Sequence, residues 1–377
     1  MKARDFALVA TAAWAVIGMS TASAQQAAAP QPAAAKAAAP APKDLTKLEP
    51  LPNFNPPKTA WGDPDFRGGW PIDSLGGLPL QRTVEQGNRV YLTDEEYQRR
   101  EAQMDRSRNA AANETKSNKL GMGNWVEMTG AGRRTSLLID PPNGRLPELT
   151  EYGKKAQAAG RSSWVKGQTF DWPSTDFDSW DRCVTRGFPA SMMPFRYNNG
   201  IRIFQSPGYV VIALEMIHDT RIIPIGNDVK PWPAPVKSFM GNSRGHWEGN
   251  TLVIETDHIR PGAAPLNMAT IGAPPNNTIP MSEQAKVVER LTMSDPNTLV
   301  YEMTYSDPVV WTAPYTIRED WQRNDDYGMF EYACIEGDVQ VFNYIKSSRA
   351  ERAKQAAAAA GTQQQAAAES AQPAKKN

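Results

Sequence analysis

Histidine and cysteine are scarce in this sequence, which has three histidines and two cysteines among 377 residues. No histidine stands at the i, i+2 or HExxH spacing that makes a metal motif specific, and two thiolates without such histidines do not form a zinc site. The sequence also lacks a glycine-rich phosphate loop after a strand and the G-x-S-x-G elbow of serine hydrolases. We therefore predict no bound metal and no cofactor.

An excess of charge of either sign is absent too, because 41 basic residues balance 41 acidic ones. Nucleic acid and anionic lipid both attract basic surfaces, so neither is expected to be the main partner. After the N-terminal segment, no stretch approaches the roughly 20 apolar residues that cross a bilayer. We predict no nucleic-acid partner and no stable membrane insertion.

The N-terminus has the three parts of a secretory signal peptide. Lys2 and Arg4 form a basic start, residues 6–19 are apolar, and Ala22 and Ala24 give the small-x-small pattern that a signal peptidase accepts. The apolar run of about 14 residues is too short for a transmembrane helix, which needs about 20. Cleavage after Ala24 and a periplasmic or secreted location are expected.

Composition divides the chain into four segments. Ala, Pro and Gln dominate two of them, which have too few large apolar side chains to bury, as is typical of disordered linkers and tails. The remainder is long enough for one globular domain. The predicted boundaries are residues 1–24 for the signal peptide, 25–58 for the disordered linker, 59–349 for the domain and 350–377 for a disordered tail, with a loop-and-helix extension at 59–130 and a strand-rich core at 131–349.

Cys183 and Cys334 are the only cysteines in the sequence. An even number of cysteines in an exported chain favours a disulfide. Such a bond closes a loop of about 150 residues and contributes roughly 4–5 kcal/mol in the chain-entropy model. A nucleophilic cysteine is the alternative, because Asp181, Arg182 and Glu336 provide charged neighbours.

The pattern of the chain predicts one helix followed mainly by strands. Thr93 and Glu96 form a capping box at the start of a polar, peripheral helix that ends near Arg108. From residue 201 onward, alternating segments are joined by short polar turns that are typical of hairpins. The predicted hairpins pair residues 201–205 with 209–218, 245–247 with 251–258, 285–293 with 298–305, and 315–322 with 329–334, and residues 339–345 form a closing strand.

Successive hairpins indicate an antiparallel meander. A meander of eight or more strands can remove its exposed edges by closing into a barrel, and a small barrel can hold one ligand. We therefore predict a mainly β fold, in which an antiparallel meander closes into a barrel-like or curled sheet with a peripheral N-terminal helix. An open sandwich is the alternative.

Functional candidates surround the histidines, all of which lie between residues 218 and 258. Period-2 alternation places His218 at the end of an apolar strand face that includes Met216, and it puts Glu215, Asp219 and Arg221 on the opposite face. These charges either form cross-strand ion pairs on a solvated face or point into the barrel. Inside a barrel, burial would alter their pKa values and permit acid–base chemistry.

Two sets of site residues follow from this pattern, and a histidine is the expected base near neutral pH. The predicted catalytic residues are His218, His246, Glu215, Arg221 and Arg244. The predicted ligand-binding residues are Trp247, Asp219, Glu248 and Met216. A metal held by the histidines and their acidic neighbours is a weaker alternative, because the spacing is not that of a metal motif.

Four motifs resemble those of a family of uncharacterised exported bacterial proteins. They are DRCVTRG at residues 181–187, EMIHDTRIIP at 215–224, GNSRGHWEGNTLV at 241–253 and EYAC at 331–334. The resemblance implies no particular activity, cofactor or catalytic residue. The family pattern has a histidine directly after EYAC, whereas this chain has Ile335. If that histidine has a catalytic or ligand role in the family, this chain is altered in that role.

The sequence favours a protein that binds one small, mainly apolar or aromatic molecule outside the cytoplasm. Its 11 Trp, 11 Tyr and 11 Phe residues supply the apolar surface that such pockets use. The first alternative is a cofactor-independent enzyme, a lyase, isomerase or hydrolase, that uses His, Glu and Arg for acid–base chemistry. The second alternative is a structural or interaction protein of the cell envelope.

Overall fold

Side chains that alternate between apolar and polar produce the strands of this protein. A computed structural model describes residues 42, 44–117, 130, 132–161, 163, 167–261, 281–334 and 339–370, and the predicted signal peptide lies outside this part. The described strands are, in chain order, β1 (Gly68–Gly69), β2 (Leu138–Asp140), β3 (Ile201–Ser206), β4 (Tyr209–Leu214), β5 (Thr220–Pro224), β6 (Asn242–Glu248), β7 (Thr251–Asp257), β8 (Lys286–Asp295), β9 (Thr298–Ser306) and β10 (Tyr315–Gln322).

The strands form two antiparallel sheets. The first has the order β1-β3-β4-β5, and the second has the order β2-β10-β9-β8-β7-β6. Three predicted hairpins are confirmed, namely β3 with β4, β6 with β7, and β8 with β9. Gly208 and Gly249 lie in two of their turns at φ +77° and +61°, a backbone region that glycine enters without steric cost.

The predicted closure into a barrel is wrong, because the described strands form two open sheets that are not strongly curled. Residues 225–241 separate β5 from β6, and next to β5 the backbone of Gly226 donates through its N to Gly245 O of β6 at 2.8 Å. On the opposite side, β1 approaches the end of β10, where Asn324 N donates to Gly69 O at 2.9 Å. Each sheet therefore keeps its own edges.

The two sheets share one hydrophobic core. Strand β8 buries every second residue between Val287 and Met293, and β10 buries every second residue between Tyr315 and Trp321. The inner face of the first sheet contributes Ile203, Ile212 and other apolar side chains to the same core. The alternative that the sequence left open, an open sandwich, describes this arrangement better than a barrel does.

The helices lie outside the sheets and are α1 (Asp94–Ser117), α2 (Glu151–Ala159), α3 (Pro173–Asp176) and α4 (Gln340–Ser370). Helix α1 begins at the predicted capping box, where Glu96 N donates to Thr93 Oγ1 at 3.2 Å and Thr93 N donates to Glu96 Oε2 at 3.0 Å. The longest helix, α4, lies at the C-terminal end of the described chain rather than near the N-terminus. None of the described helices has the length and hydropathy needed to span a membrane.

The predicted fourth hairpin and the predicted closing strand are wrong. Residues 323–334 form no strand after β10, and residues 340–345 belong to α4. The residues that follow are mainly Ala, Gln, Lys and Glu, which are strong helix formers, and a helix extends at little cost once it has begun. Tyr344 then packs against Phe170 with ring centroids 5.2 Å apart. Helix α4 includes most of the segment predicted as a tail.

Candidate functional site

The predicted disulfide between Cys183 and Cys334 is confirmed, with Cα atoms 5.5 Å apart. It joins the segment before β3 to the segment after β10. Both segments pack on the turn between β4 and β5, because Thr185 Oγ1 donates to Asp219 Oδ2 at 2.6 Å and Tyr332 N donates to His218 Nε2 at 3.1 Å. Three of the four sequence motifs therefore meet at this disulfide.

The backbone around the disulfide adopts an unusual conformation. Cys183, Asn198, Ile217 and His218 all have φ between +52° and +57°. Left-handed backbone at non-glycine residues costs on the order of 1–3 kcal/mol and persists only where the surroundings enforce it. The left-handed Ile217 also ends the period-2 alternation of β4, so Met216 and His218 do not continue its apolar face: Met216 is buried, whereas His218 is exposed.

Glu215 is held by four hydrogen bonds from uncharged donors. Its carboxylate accepts from Asn198 Nδ2 at 3.0 Å, Gly200 N at 2.9 Å, Tyr327 Oη at 2.9 Å and Phe330 N at 3.0 Å. A carboxylate offers about four acceptor sites, and the Glu215 side chain is buried. Its role in this geometry is to fix the segment after β10 onto the first sheet.

Asp219 is the second acidic residue of the turn. Burial raises the pKa of its carboxyl group, while hydrogen bonds from Thr185 and Ser191 act in the opposite direction. The Ser191 hydroxyl donates to Gly187 O at 2.8 Å and is 3.5 Å from Asp219 Oδ2. Among the described residues, no histidine nitrogen is hydrogen-bonded to Ser191.

Arg221 points into the core, and its partner is Glu289 of the other sheet. Arg221 Nη1 donates to Glu289 Oε1 at 2.7 Å, and both side chains are at most 1 % exposed. Ser243 Oγ accepts from Arg221 at 2.9 Å, Tyr301 Oη donates to Glu289 at 3.0 Å, and the Phe188 ring centroid lies 4.2 Å from the guanidinium. This ion pair joins the sheets and has no accessible surface for a substrate.

Glu319 is a buried acid that the sequence interpretation missed. It lies on the inner face of β10, is 0 % exposed, and has its Oε2 bonded by Trp321 Nε1 at 2.8 Å. Its Oε1 has no hydrogen-bond partner among the described residues. Burial raises the pKa of this carboxyl group to about 8, so Glu319 is protonated at neutral pH.

The other predicted residues lie on strand β6. His246, Arg244 and Glu248 are on the outer face of the second sheet, where Arg244 pairs with Asp257 at 2.9 Å and Glu248 pairs with Arg290 at 2.7 Å. His246 Nε2 is 3.4 Å from Glu248 Oε1. Trp247 faces inward and packs against Phe66 with ring centroids 5.3 Å apart. These ion pairs connect different strands on a partly exposed face, whereas Glu215 and Arg221, for which such pairs were the alternative, are buried.

The predicted catalytic set is therefore distributed over three places. His218 and Glu215 share the turn at the disulfide, Arg221 is in the core, and His246 and Arg244 are on the outer face of β6. Among the described residues, no group of three or more His, Cys, Asp or Glu side chains is placed to hold a metal ion.

A groove of about 650 Å³ lies elsewhere, where β1 meets the ends of β8 and β10. This volume is within the range of roughly 300–1,000 Å³ that is typical of small-molecule pockets. None of the predicted site residues lines it. The lining residues are Pro57, Asp65, Arg67, Gly68, Arg202, Met293, Pro296, Asn297, Arg323 and Asp325.

The glycines of β1 allow this groove to form. A Cβ atom on Gly69 would lie 2.4 Å from Asn324 O, and one on Gly68 would lie 2.5 Å from Asp325 Oδ1. Because Gly68 and Gly69 have no side chains, residues 323–325 can approach β1 closely. Gly69 N donates to Asp325 Oδ1 at 2.9 Å. A glycine pair in a short strand signals such a close backbone approach, and this signal could have located the groove.

Charged side chains alternate along the groove. Arg67 pairs with Asp65 at 2.6 Å, and Arg323 pairs with Asp325 at 2.8 Å. The hydrogen bonds from Arg67 hold the pKa of Asp65 below its usual value, and those from Gly69 and Arg323 do the same for Asp325. Both carboxylates are therefore ionised at neutral pH.

No family model, curated protein or solved structure matches this chain. The functional argument therefore depends on the geometry of the site.

Proposed function

We propose that this protein acts outside the cytoplasm and binds a small molecule with an apolar or aromatic body. The observation that carries the proposal is the groove of about 650 Å³ beside β1. The exposed Pro57 and Pro296 provide apolar walls, the buried Met293 borders the groove, and five charged groups stand between them. Binding sites for small molecules commonly combine apolar walls with a small number of placed polar groups.

The proposed location outside the cytoplasm has two supports. The disulfide between Cys183 and Cys334 is of a kind that persists in oxidising compartments and is rare in the cytosol. The N-terminal sequence has the pattern of a cleaved signal peptide. The resemblance of four motifs to exported bacterial proteins agrees with both.

Binding in the groove is tested by filling it. Asn297 is exposed, and its side chain makes no hydrogen bond within the described residues. Asn297→Trp therefore adds an indole at the groove without breaking a side-chain contact. We expect a native mass-spectrometry screen to find ligands of residues 25–377 and N297W to bind them at least tenfold more weakly, since about 1.4 kcal/mol is tenfold in Kd.

Asn227→Trp is the matched control, because Asn227 is exposed in the turn after β5, away from the groove lining. This variant should bind like the wild type. A screen without any ligand, or equal binding by N297W and the wild type, would contradict the proposal.

A further inference from the structure

The groove has more positive than negative charge. Three guanidinium groups, of Arg67, Arg323 and Arg202, alternate with two carboxylates, of Asp65 and Asp325. Each carboxylate has electrostatic contact with two guanidinium groups: Asp65 with those of Arg67 and Arg323, and Asp325 with those of Arg323 and Arg202. The five charges sum to one unit of positive charge.

Arg202 differs from the other two arginines of the groove. In the described part of the chain, no carboxylate is hydrogen-bonded to its guanidinium group. Its Nη2 donates to two backbone carbonyls, Asp325 O at 3.4 Å and Tyr327 O at 3.2 Å. The guanidinium has five N–H donors in all, so its Nε and Nη1 groups are left to bind a ligand. Its position is fixed by strand β3, where Arg202 pairs with Gly69 of β1.

The other two guanidinium groups are held in place around it. Arg67 donates through Nε and Nη2 to the two oxygens of Asp65 at 2.8 and 2.6 Å. Arg323 donates through Nε to Asp325 at 2.8 Å, and its guanidinium carbon is 5.5 Å from the Trp70 ring centroid. Groups that are fixed before binding lose little conformational entropy when a ligand binds.

We propose that the groove selects ligands that carry one carboxylate on their apolar or aromatic body, with Arg202 as the residue that binds this carboxylate. One negative charge balances the groove, and the Nε–H and Nη1–H groups of Arg202 can each donate a charge-assisted hydrogen bond to a carboxylate oxygen. In this arrangement the exposed Pro57 and Pro296, which line the groove, face the body of the ligand. This inference rests on the proposed function and adds the chemical class of the ligand.

Benzoate and benzamide test the selection, because they have nearly the same shape and differ in charge. We expect wild-type protein to bind benzoate at least tenfold more tightly than benzamide in ligand-observed NMR titrations. The preference should shrink at high salt, since ions screen the charges of a partly exposed site. Arg202→Gln should remove the preference, and Arg202→Lys should keep part of it, because lysine retains the positive charge but not the positions of the guanidinium donors.

Two further variants separate ligand binding from folding. Arg290→Gln removes an arginine that pairs with Glu248 on the outer face of β8, and it should retain the preference. Asp65→Asn removes a carboxylate from the groove and should bind benzoate more tightly than the wild type, which a folding defect cannot produce. Equal affinities of the wild type for benzoate and benzamide would overturn the inference and leave the proposed function standing. Failure of both probes to bind, together with a screen that finds no ligand, would overturn the proposed function itself.

Discussion

At the scale of single residues, Glu319 couples the interior of the protein to pH. Its pKa is raised from its usual 4.5 to about 8 by burial. Between these pH values the folded state holds a proton that the unfolded state has lost. The free energy of unfolding therefore falls as pH rises through this window, with a contribution on the order of 1 kcal/mol per pH unit from this group.

Glu319→Gln should remove this contribution, because an amide does not ionise and its oxygen can still accept from Trp321. We expect the variant to lose less stability than the wild type between pH 5 and about 8 in urea denaturation. Glu302→Gln is the control, since Glu302 is on the outer face of β9, opposite Arg318. Identical pH dependence in the wild type and E319Q would show that Glu319 does not hold a proton in the folded state.

At the scale of elements, the Arg221–Glu289 pair joins β5 of one sheet to β8 of the other. Removing one partner leaves the other charge buried without compensation, which typically costs 3–5 kcal/mol. We expect Arg221→Met to lose roughly this much free energy of unfolding. The double variant R221M/E289L should recover a large part of the loss, because well-packed apolar groups replace both charges.

Arg290→Met is the matched control for this measurement, because Arg290 directly follows Glu289 in β8 and pairs with Glu248 on the exposed face. Exposed ion pairs contribute roughly 0–1 kcal/mol. If chemical denaturation shows that R221M and R290M lose the same free energy of unfolding, the buried pair does not make the predicted contribution to stability.

The elements also show what local sequence patterns can predict. The capping box at Thr93 and the glycine turns at Gly208 and Gly249 act over a few residues, and each formed as predicted. The prediction that the alternation of side chains in β4 continues to His218 was wrong, because the left-handed backbone of Ile217 interrupts it. Arg221 consequently lies on the inner face, opposite Ile212, and not on an accessible polar face.

Contacts between distant segments were beyond the reach of these patterns. Arg67, Arg202 and Arg323 come together through the pairing of β1 with β3 and its approach to Asn324. The Gly68–Gly69 pair marks a close backbone approach, but the sequence next to each arginine does not show which distant segment it meets. The separation into two sheets has the same cause, since it depends on which distant strands pair.

At the scale of the whole molecule, the Cys183–Cys334 disulfide restricts the unfolded chain. The cysteines are 151 positions apart, and the chain-entropy model gives about 5 kcal/mol for such a loop. We expect C183A/C334A to lose several kcal/mol of unfolding free energy in guanidinium titrations. The wild type treated with reductant under denaturing conditions should lose the same amount.

Protein isolated without reductant should show no free thiol when it is titrated in denaturant. A full complement of free thiols there, or a double variant as stable as the wild type, would contradict the role assigned to the disulfide.

The same disulfide closes a covalent ring that contains strands β3 to β10. Proteases cut proteins in exposed loops. A single cut between residues 183 and 334, for example in the exposed turn at Asn227, opens the ring but releases no fragment. The protein can thus lose a peptide bond in the ring and remain one molecule, with the groove segments at Arg202 and Arg323 still covalently joined.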